Sequence, residues 1–156
     1  AVGDREVEKN SNSQKVKTIK SEDEEKAYQE IRDAFETDVV RIFVCLPDME
    51  FETMNLDKSK QIAELYYSYD GEIIGYIINV PYSESSLGID FEDPIEKEYS
   101  ETIDDCEIKV TIYKLKGSKK SGCVAKFKYG NIEYLLTGTM KQQDFKNIVK
   151  KLIFYK

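Results

Sequence analysis

The sequence predicts an α+β domain: a curved antiparallel meander sheet of about six or seven strands, with N- and C-terminal helices packed on one face. Three observations predict it. Asp70-Gly71 and Gly130-Asn131 are two-residue turn signals, each flanked by runs rich in β-branched and aromatic residues. Apolar residues alternate with polar ones from Cys106 to Leu136. Stripes at helical spacing occur near both ends, Ala27, Tyr28, Ile31, Ala34 and Phe35 in one and Phe145, Ile148, Val149, Leu152 and Ile153 in the other.

At 156 residues, with 40% hydrophobic and 12% aromatic residues, the chain can bury one self-sufficient core. Charged residues make up 34% and mean hydropathy is −0.54, so its surface is strongly hydrated. No apolar run approaches the ~18–20 residues of a membrane span, and none forms a signal-peptide core. Residues 1–20 are polar, with Asn10-Ser11-Asn12-Ser13 in the middle, and read as a flexible tether ahead of a single α+β domain over 21–156. That stretch suits either a ragged terminus or a linker from a membrane anchor or lipidated cysteine upstream of Ala1.

Ser21 with Glu24 is a capping-box pattern, so the first helix is expected to start there and to end near Asp38. Val39 to Leu46 reads as a short strand or extended segment, broken by Pro47. Met49 to Leu56, Gln61 to Tyr69 and Glu72 to Val80 read as three strands. Asp70-Gly71 pairs Tyr67 with Ile74, Leu65 with Tyr76 and Ala63 with Ile78. The other face of this hairpin carries Ile62, Tyr66, Ile73 and Ile77, which makes it apolar on both sides. These four residues are the candidate ligand-binding face, the expectation being that they are only partly covered. A pocket lined by Tyr66, Tyr67 and Tyr76 is the form in which a small ligand would be held.

Glu98 to Ile103 reads as a further strand. A loop centred on Lys116 to Ser121 sets Ile112 opposite Ala125, Val110 opposite Phe127 and Ile108 opposite Tyr129. Gly130-Asn131 sets Tyr129 opposite Ile132, Phe127 opposite Tyr134 and Ala125 opposite Leu136. Thr139 with Gln142 is a second capping box, ahead of the closing helix.

The chemical inventory argues against catalysis. There are no histidines, which removes Ser-His and Cys-His nucleophilic pairs and His-based metal sites. Neither GxGxxG nor a Walker pattern occurs. Ser118 to Ser121 combines Ser and Lys in a turn, where the lysines stay solvated and protonated. Cys45, Cys106 and Cys123 are an odd set without CxxC spacing, and the strand register keeps Cys106 and Cys123 apart, so three free thiols are expected. Nine carboxylates lie between Glu84 and Asp105 against one lysine, a concentration that calcium could use but without EF-hand spacing; a solvated acidic loop is the better reading. No catalytic residue, metal site or cofactor is assigned.

Charge is partitioned along the chain. Residues 1–105 carry 11 basic and 27 acidic side chains, and residues 106–156 carry 12 and 3. The bland reading is internal complementarity. The functional one is a basic sheet face, with Lys109, Lys114, Lys126 and Lys128, that meets an anionic cell-envelope surface. Nucleic acid is not an expected partner of a chain with net charge −7.

The run from Cys106-Glu107-Ile108 through Ala125-Lys126-Phe127-Lys128-Tyr129-Gly130-Asn131 to Glu133-Tyr134-Leu135-Leu136-Thr137-Gly138 resembles an uncharacterised bacterial domain family, the DUF4367 domain. Leu46-Pro47-Asp48-Met49 is similar to that family's entry into its first meander. The resemblance covers roughly residues 40–153 and rests mostly on sheet and turn residues. It implies a domain common in Gram-positive bacteria, placed outside the membrane behind one transmembrane segment and sometimes beside anti-sigma-like regions. It implies no known activity and brings no catalytic residues. The resulting expectation is a non-enzymatic extracytoplasmic domain of a membrane-tethered protein that binds an unknown protein or small-molecule ligand. The alternative is a structural or assembly module of a membrane-anchored, anti-sigma-like regulator.

Overall fold

Asp70 and Gly71 both take positive φ, 53° and 76°, which closes the tight turn that the Asp-Gly pair was expected to make. A computed structural model describes residues 13–80 and 94–156, with side chains from residue 23 onward. The order is α1 (Ser13–Phe35), β1 (Glu50–Asp57), β2 (Ile62–Tyr69), β3 (Glu72–Ile78), β4 (Ile95–Ile103), β5 (Cys106–Lys114), β6 (Ser121–Tyr129), β7 (Ile132–Met140) and α2 (Gln142–Lys150). The strands form one seven-stranded antiparallel sheet in the order β1-β2-β3-β7-β6-β5-β4. A three-stranded and a four-stranded meander are thus joined where β3 meets β7, with Tyr76 opposite Leu136 and Ile78 opposite Tyr134. The fold is α+β, as expected.

Both helices lie on the inner face. Ala27, Tyr28 and Ile31 of α1 and Phe145, Ile148 and Val149 of α2 are buried there against Leu65, Tyr67, Ile74, Tyr76, Val110, Phe127 and Leu136. Between them runs the extended segment 39–46, in which Val39, Val40 and Ile42 are buried. It makes one isolated bridge, Arg41 with Ile153, closed by N–H···O bonds of 2.9 and 2.8 Å.

Two registers match the sequence reading. Tyr67–Ile74, Leu65–Tyr76 and Ala63–Ile78 are paired in the first hairpin, and Tyr129–Ile132, Phe127–Tyr134 and Ala125–Leu136 in the last. The β5–β6 hairpin differs. It pairs Val110 with Ala125, Ile112 with Cys123 and Lys114 with Ser121, two residues away from the expected register. Strand β6 begins at Ser121, so the loop is Leu115 to Lys120, turned at Gly117 with φ +72°. A slip of two keeps every side chain on its expected face, because the side-chain period of a strand is two.

Helix ends also differ. Helical backbone continues back to Ser13, so Ser21 is interior and not a cap, and the latter part of the expected tether over 1–20 is helical. The helix stops at Phe35, where Glu36 enters the left-handed region at φ 56° and the Gln61 amide donates to the Ala34 carbonyl at 3.1 Å. Thr139 is part of β7, and the N-cap of α2 is Lys141 without a side-chain cap bond. Ile153, expected in the core, is 46% exposed because it belongs to the bridge with Arg41 and not to the helix. The acids Glu84 to Asp93 of the expected acidic loop lie outside the described residues.

Phe127 stacks on Tyr134 with ring centroids 4.8 Å apart and tilts against Phe154 at 6.0 Å. Phe127→Ala is expected to destabilise the domain by about 3–5 kcal/mol, read from urea unfolding. All three cysteines are free, and burial pushes the Cys123 thiol up to about 12. Thiol titration of denatured, unreduced protein is expected to find all three groups, with Cys123 silent in the native state at pH 8. A single reactive thiol after denaturation would mean a disulfide.

Candidate functional site

The four residues of the candidate face separate by burial. Ile73 is 58% exposed, Ile62 and Tyr66 are half-buried, and Ile77 is 5% exposed. Ile77 belongs to a small outer-face cluster with Val124 and Leu135, against which Ile62, Val80 and Tyr113 pack in part. The accessible part of the face is therefore Ile62, Tyr66 and Ile73, on β2 and β3.

Tyr66 owes its position to its cross-strand partner, Gly75. A methyl group added at Gly75 would lie 3.6 Å from Tyr66 Cε1 and 3.5 Å from Thr137 Cγ2, so the ring covers the glycine and reaches toward β7. The Tyr66 hydroxyl donates to Glu64 Oε1 at 3.1 Å. A shallow open depression borders this patch, lined by Asn55, Leu56, Asp57, Lys60, Ile62 and Glu64.

A tyrosine pocket does not form. Tyr67 and Tyr76 point to the inner face, where both are fully buried, while Tyr66 points outward. Strand alternation makes that separation unavoidable for neighbours such as Tyr66 and Tyr67. The inner hydroxyls are engaged in structure. Tyr76 donates to the Val40 carbonyl at 2.7 Å, and Tyr134 accepts from the Val40 N–H at 3.1 Å. Tyr28 accepts from the Ile42 N–H at 3.2 Å and shares a 3.2 Å hydrogen bond with Tyr67, which donates to Glu24 at 2.6 Å. The sequence reading named Tyr67 and Tyr76 as pocket residues and did not foresee this network, since the Val40 and Ile42 backbone groups in it lie on an irregular segment with no periodicity.

The Glu24 cluster is the most polar group under α1. The Arg41 guanidinium sits 4.2 Å above the Tyr28 ring and pairs with Glu25 at 3.1 Å. Burial raises the Glu24 carboxyl above its ordinary value, against the opposing pull of the Tyr67 hydroxyl and Arg41. With tyrosine hydroxyls as neighbours and no nucleophile, the arrangement holds α1 on the sheet and has no evident acid–base task.

The four candidate lysines are all exposed. Lys109, Lys126 and Lys128 lie on the outer face, with Lys109 directly opposite Lys126 and Lys128 opposite Glu133. Lys114 sits at the end of β5 opposite Ser121, one position on from outward-facing Tyr113, and so belongs to the other face. The structure thus brings three of the four together. Another lysine of the basic half, Lys120, is spent internally on Asp70 and Glu72 of the acidic half, at 3.3 and 3.5 Å. Among the described residues no group of three His, Cys, Asp or Glu side chains is placed to hold a metal ion. No helix among them is long and apolar enough to cross a membrane.

A family model described as a domain of unknown function (DUF4367) matches residues 39–152. The chain belongs to this family. The match spans the extended segment, the whole sheet and α2, and it leaves all of α1 outside. No curated protein matches the chain. The DUF4367 core is therefore the sheet with α2, and α1 is added to it through Glu24, Tyr28 and Ile31.

The Glu24 carboxyl gives a pH prediction. A carboxyl whose folded value is raised favours folding while protonated, and that contribution is lost as pH rises from its ordinary value through the raised one. Glu24→Gln keeps an acceptor for Tyr67 and removes the buried charge. The variant is expected to be more stable than the parent at pH 7 and equal to it near pH 4, by urea unfolding at both values.

Proposed function

We propose that this DUF4367 domain is a non-enzymatic, extracytoplasmic binding domain of a membrane-tethered protein, and that it takes a protein partner on its outer sheet face. The observation that carries the reading is the Ile62, Tyr66 and Ile73 patch. It is apolar, partly accessible, and rigidly placed on paired central strands beside the buried Ile77 cluster. Its flatness favours a protein over a small molecule, which needs a concave, mostly enclosed site. The absence of histidine from the sequence, together with tyrosine hydroxyls committed to backbone and carboxylate partners, supports a role without catalysis. The extracytoplasmic, tethered setting is what the family resemblance implies. The assembly-module reading shares this fold and differs in needing no partner on that patch.

Lys109 opposite Lys126 is a specific observation for a second contact. Both side chains are exposed and Lys128 lies on the same face, so this part of the outer face presents positive charge to an anionic surface. It lies on the same face as the apolar patch, on the far side of β7.

The test is site-directed photo-crosslinking of the full-length protein in its own cell. A photoreactive residue at Ile73 is expected to capture one discrete protein band, and the same residue at exposed Lys58 none. Ile73→Asp should abolish capture from a probe at Tyr66. An absence of any product at Ile73 and Tyr66 would reject the binding role in favour of the assembly module.

A further inference from the structure

Strand β4 is an open edge: among the described residues its only ladder is with β5. It is nine residues long and mostly exposed, which leaves a row of backbone donors and acceptors free to pair. Natural edges of this kind are blunted, and the opposite edge shows how. Both edge strands have one register irregularity, between Phe51 and Thr53 in β1 and between Ile95 and Lys97 in β4, but β1 carries only acids, Glu50, Glu52 and Asp57. Strand β4 carries both signs, Glu96, Lys97, Glu98 and Glu101.

The order of those charges is self-complementary. Laid antiparallel against a second copy with Tyr99 on the twofold axis, Lys97 faces Glu101 of the second copy and Glu101 faces its Lys97. Glu98 then faces Ser100. A slip of one residue in either direction sets Glu101 against Glu96 or Glu98, and a slip of two sets Glu98 against itself or Lys97 against Ile103. Within two residues either way, this register alone sets each Lys97 opposite a carboxylate, and such pairs help to specify register between strands.

A second, independent observation points to the same partner. Lys97, Tyr99 and Glu101 share the inner side of β4, opposite Ile112, Val110 and Ile108. There the Glu101 Oε1 atom is buried without a hydrogen-bond partner. An unpaired buried carboxylate oxygen is costly, and turning the Glu101 side chain outward to a lysine ammonium across the strand pair would relieve that cost.

We propose that this domain forms a twofold dimer by antiparallel pairing of β4 with β4 of a second copy, Lys97 and Glu101 forming the two reciprocal ion pairs. The interface is isologous, as a C2 dimer requires. It joins the two sheets into one continuous sheet, and since directly paired residues share a face, both outer faces look to the same side. Each Ile62, Tyr66 and Ile73 patch lies at the far end of its own sheet and stays free. Two such patches on one side would engage a repeated or dimeric partner with avidity. The dimer itself does not depend on the binding role.

Sedimentation equilibrium of the full chain, from about 1 µM to about 1 mM, reads the proposal directly, since an interface this small associates weakly. The mass is expected to rise with concentration from 18.1 kDa toward twice that value. Lys97→Glu and Glu101→Lys are each expected to remain monomeric, and the double swap to regain the dimer. A parent chain that stays monomeric, single variants that still dimerise, or a folded double variant that stays monomeric would each overturn it. Should the double variant fail to fold, hydrogen exchange in the parent decides. Protection of β4 amides that grows with concentration supports the pairing, and protection that does not change overturns it.

Discussion

The fold depends on how the backbone of Val40 is satisfied. Residues 39–42 run through the core without a strand partner, apart from the bridge at Arg41, and a buried amide or carbonyl must be paired. Tyr76 and Tyr134, which face the helices from the two sheet halves, pair the Val40 carbonyl and N–H, and Tyr28 of α1 pairs the N–H of Ile42. Each such bond contributes about 1 kcal/mol net, but a vacated partner leaves a buried group unpaired at about 1–3 kcal/mol. Three elements distant in sequence therefore converge on one extended segment. Burial pushes all three tyrosines well above the ordinary phenol range, so they remain neutral donors and acceptors wherever the domain is folded.

This arrangement decides where function can reside. The inner face is filled by α1, α2 and the extended segment, and its central tyrosine hydroxyls are committed to backbone and carboxylate partners. What is left is the outer face and the two edges. On the outer face the residues divide sharply, with Leu135 at 1% exposure and Ile73 at 58%, so the face is a covered centre with an accessible margin. At the edges, the acids of β1 repel a second copy while the mixed charges of β4 suit one.

Legibility followed the range of the interactions. Asp70-Gly71 and Gly130-Asn131 located two hairpins to the residue, because a two-residue turn admits one register. The loop after Lys114 is six residues long, and composition could not say which of Leu115 or Ser121 belonged to a strand. The two capping boxes failed for different reasons: Ser21 lies inside a helix that continues back to Ser13, and Thr139 is held in a strand. A Ser or Thr cap is worth about 1 kcal/mol, less than the continuous strand pairing that holds Thr139 opposite Gly122. The double-faced character of β2–β3 was visible, and the inner set is fully buried as alternation requires. Which outer residues stay accessible was not visible, because Ile73 and Ile77 are the same residue type and differ only in their neighbours on β6 and β7. The tyrosine network was not legible either: hydroxyl partners on an aperiodic segment leave no pattern in the chain.

The charge partition gains its meaning from the strand order. The acidic half of the chain ends in β4, and the sheet places that strand at the edge, next to basic β5 and beyond it β6. There the two halves interleave: Lys109 lies between Ser100 of β4 and Lys126 of β6, two residues from the level of Glu98. Lys120 likewise bridges back to the acidic turn at Asp70. Lys120 with Asp70 and Glu72 is thus an ion-pair cluster that joins the acidic and basic halves within the fold. On the outer face Lys109 stands opposite Lys126, and Lys128 stands opposite Glu133 of β7.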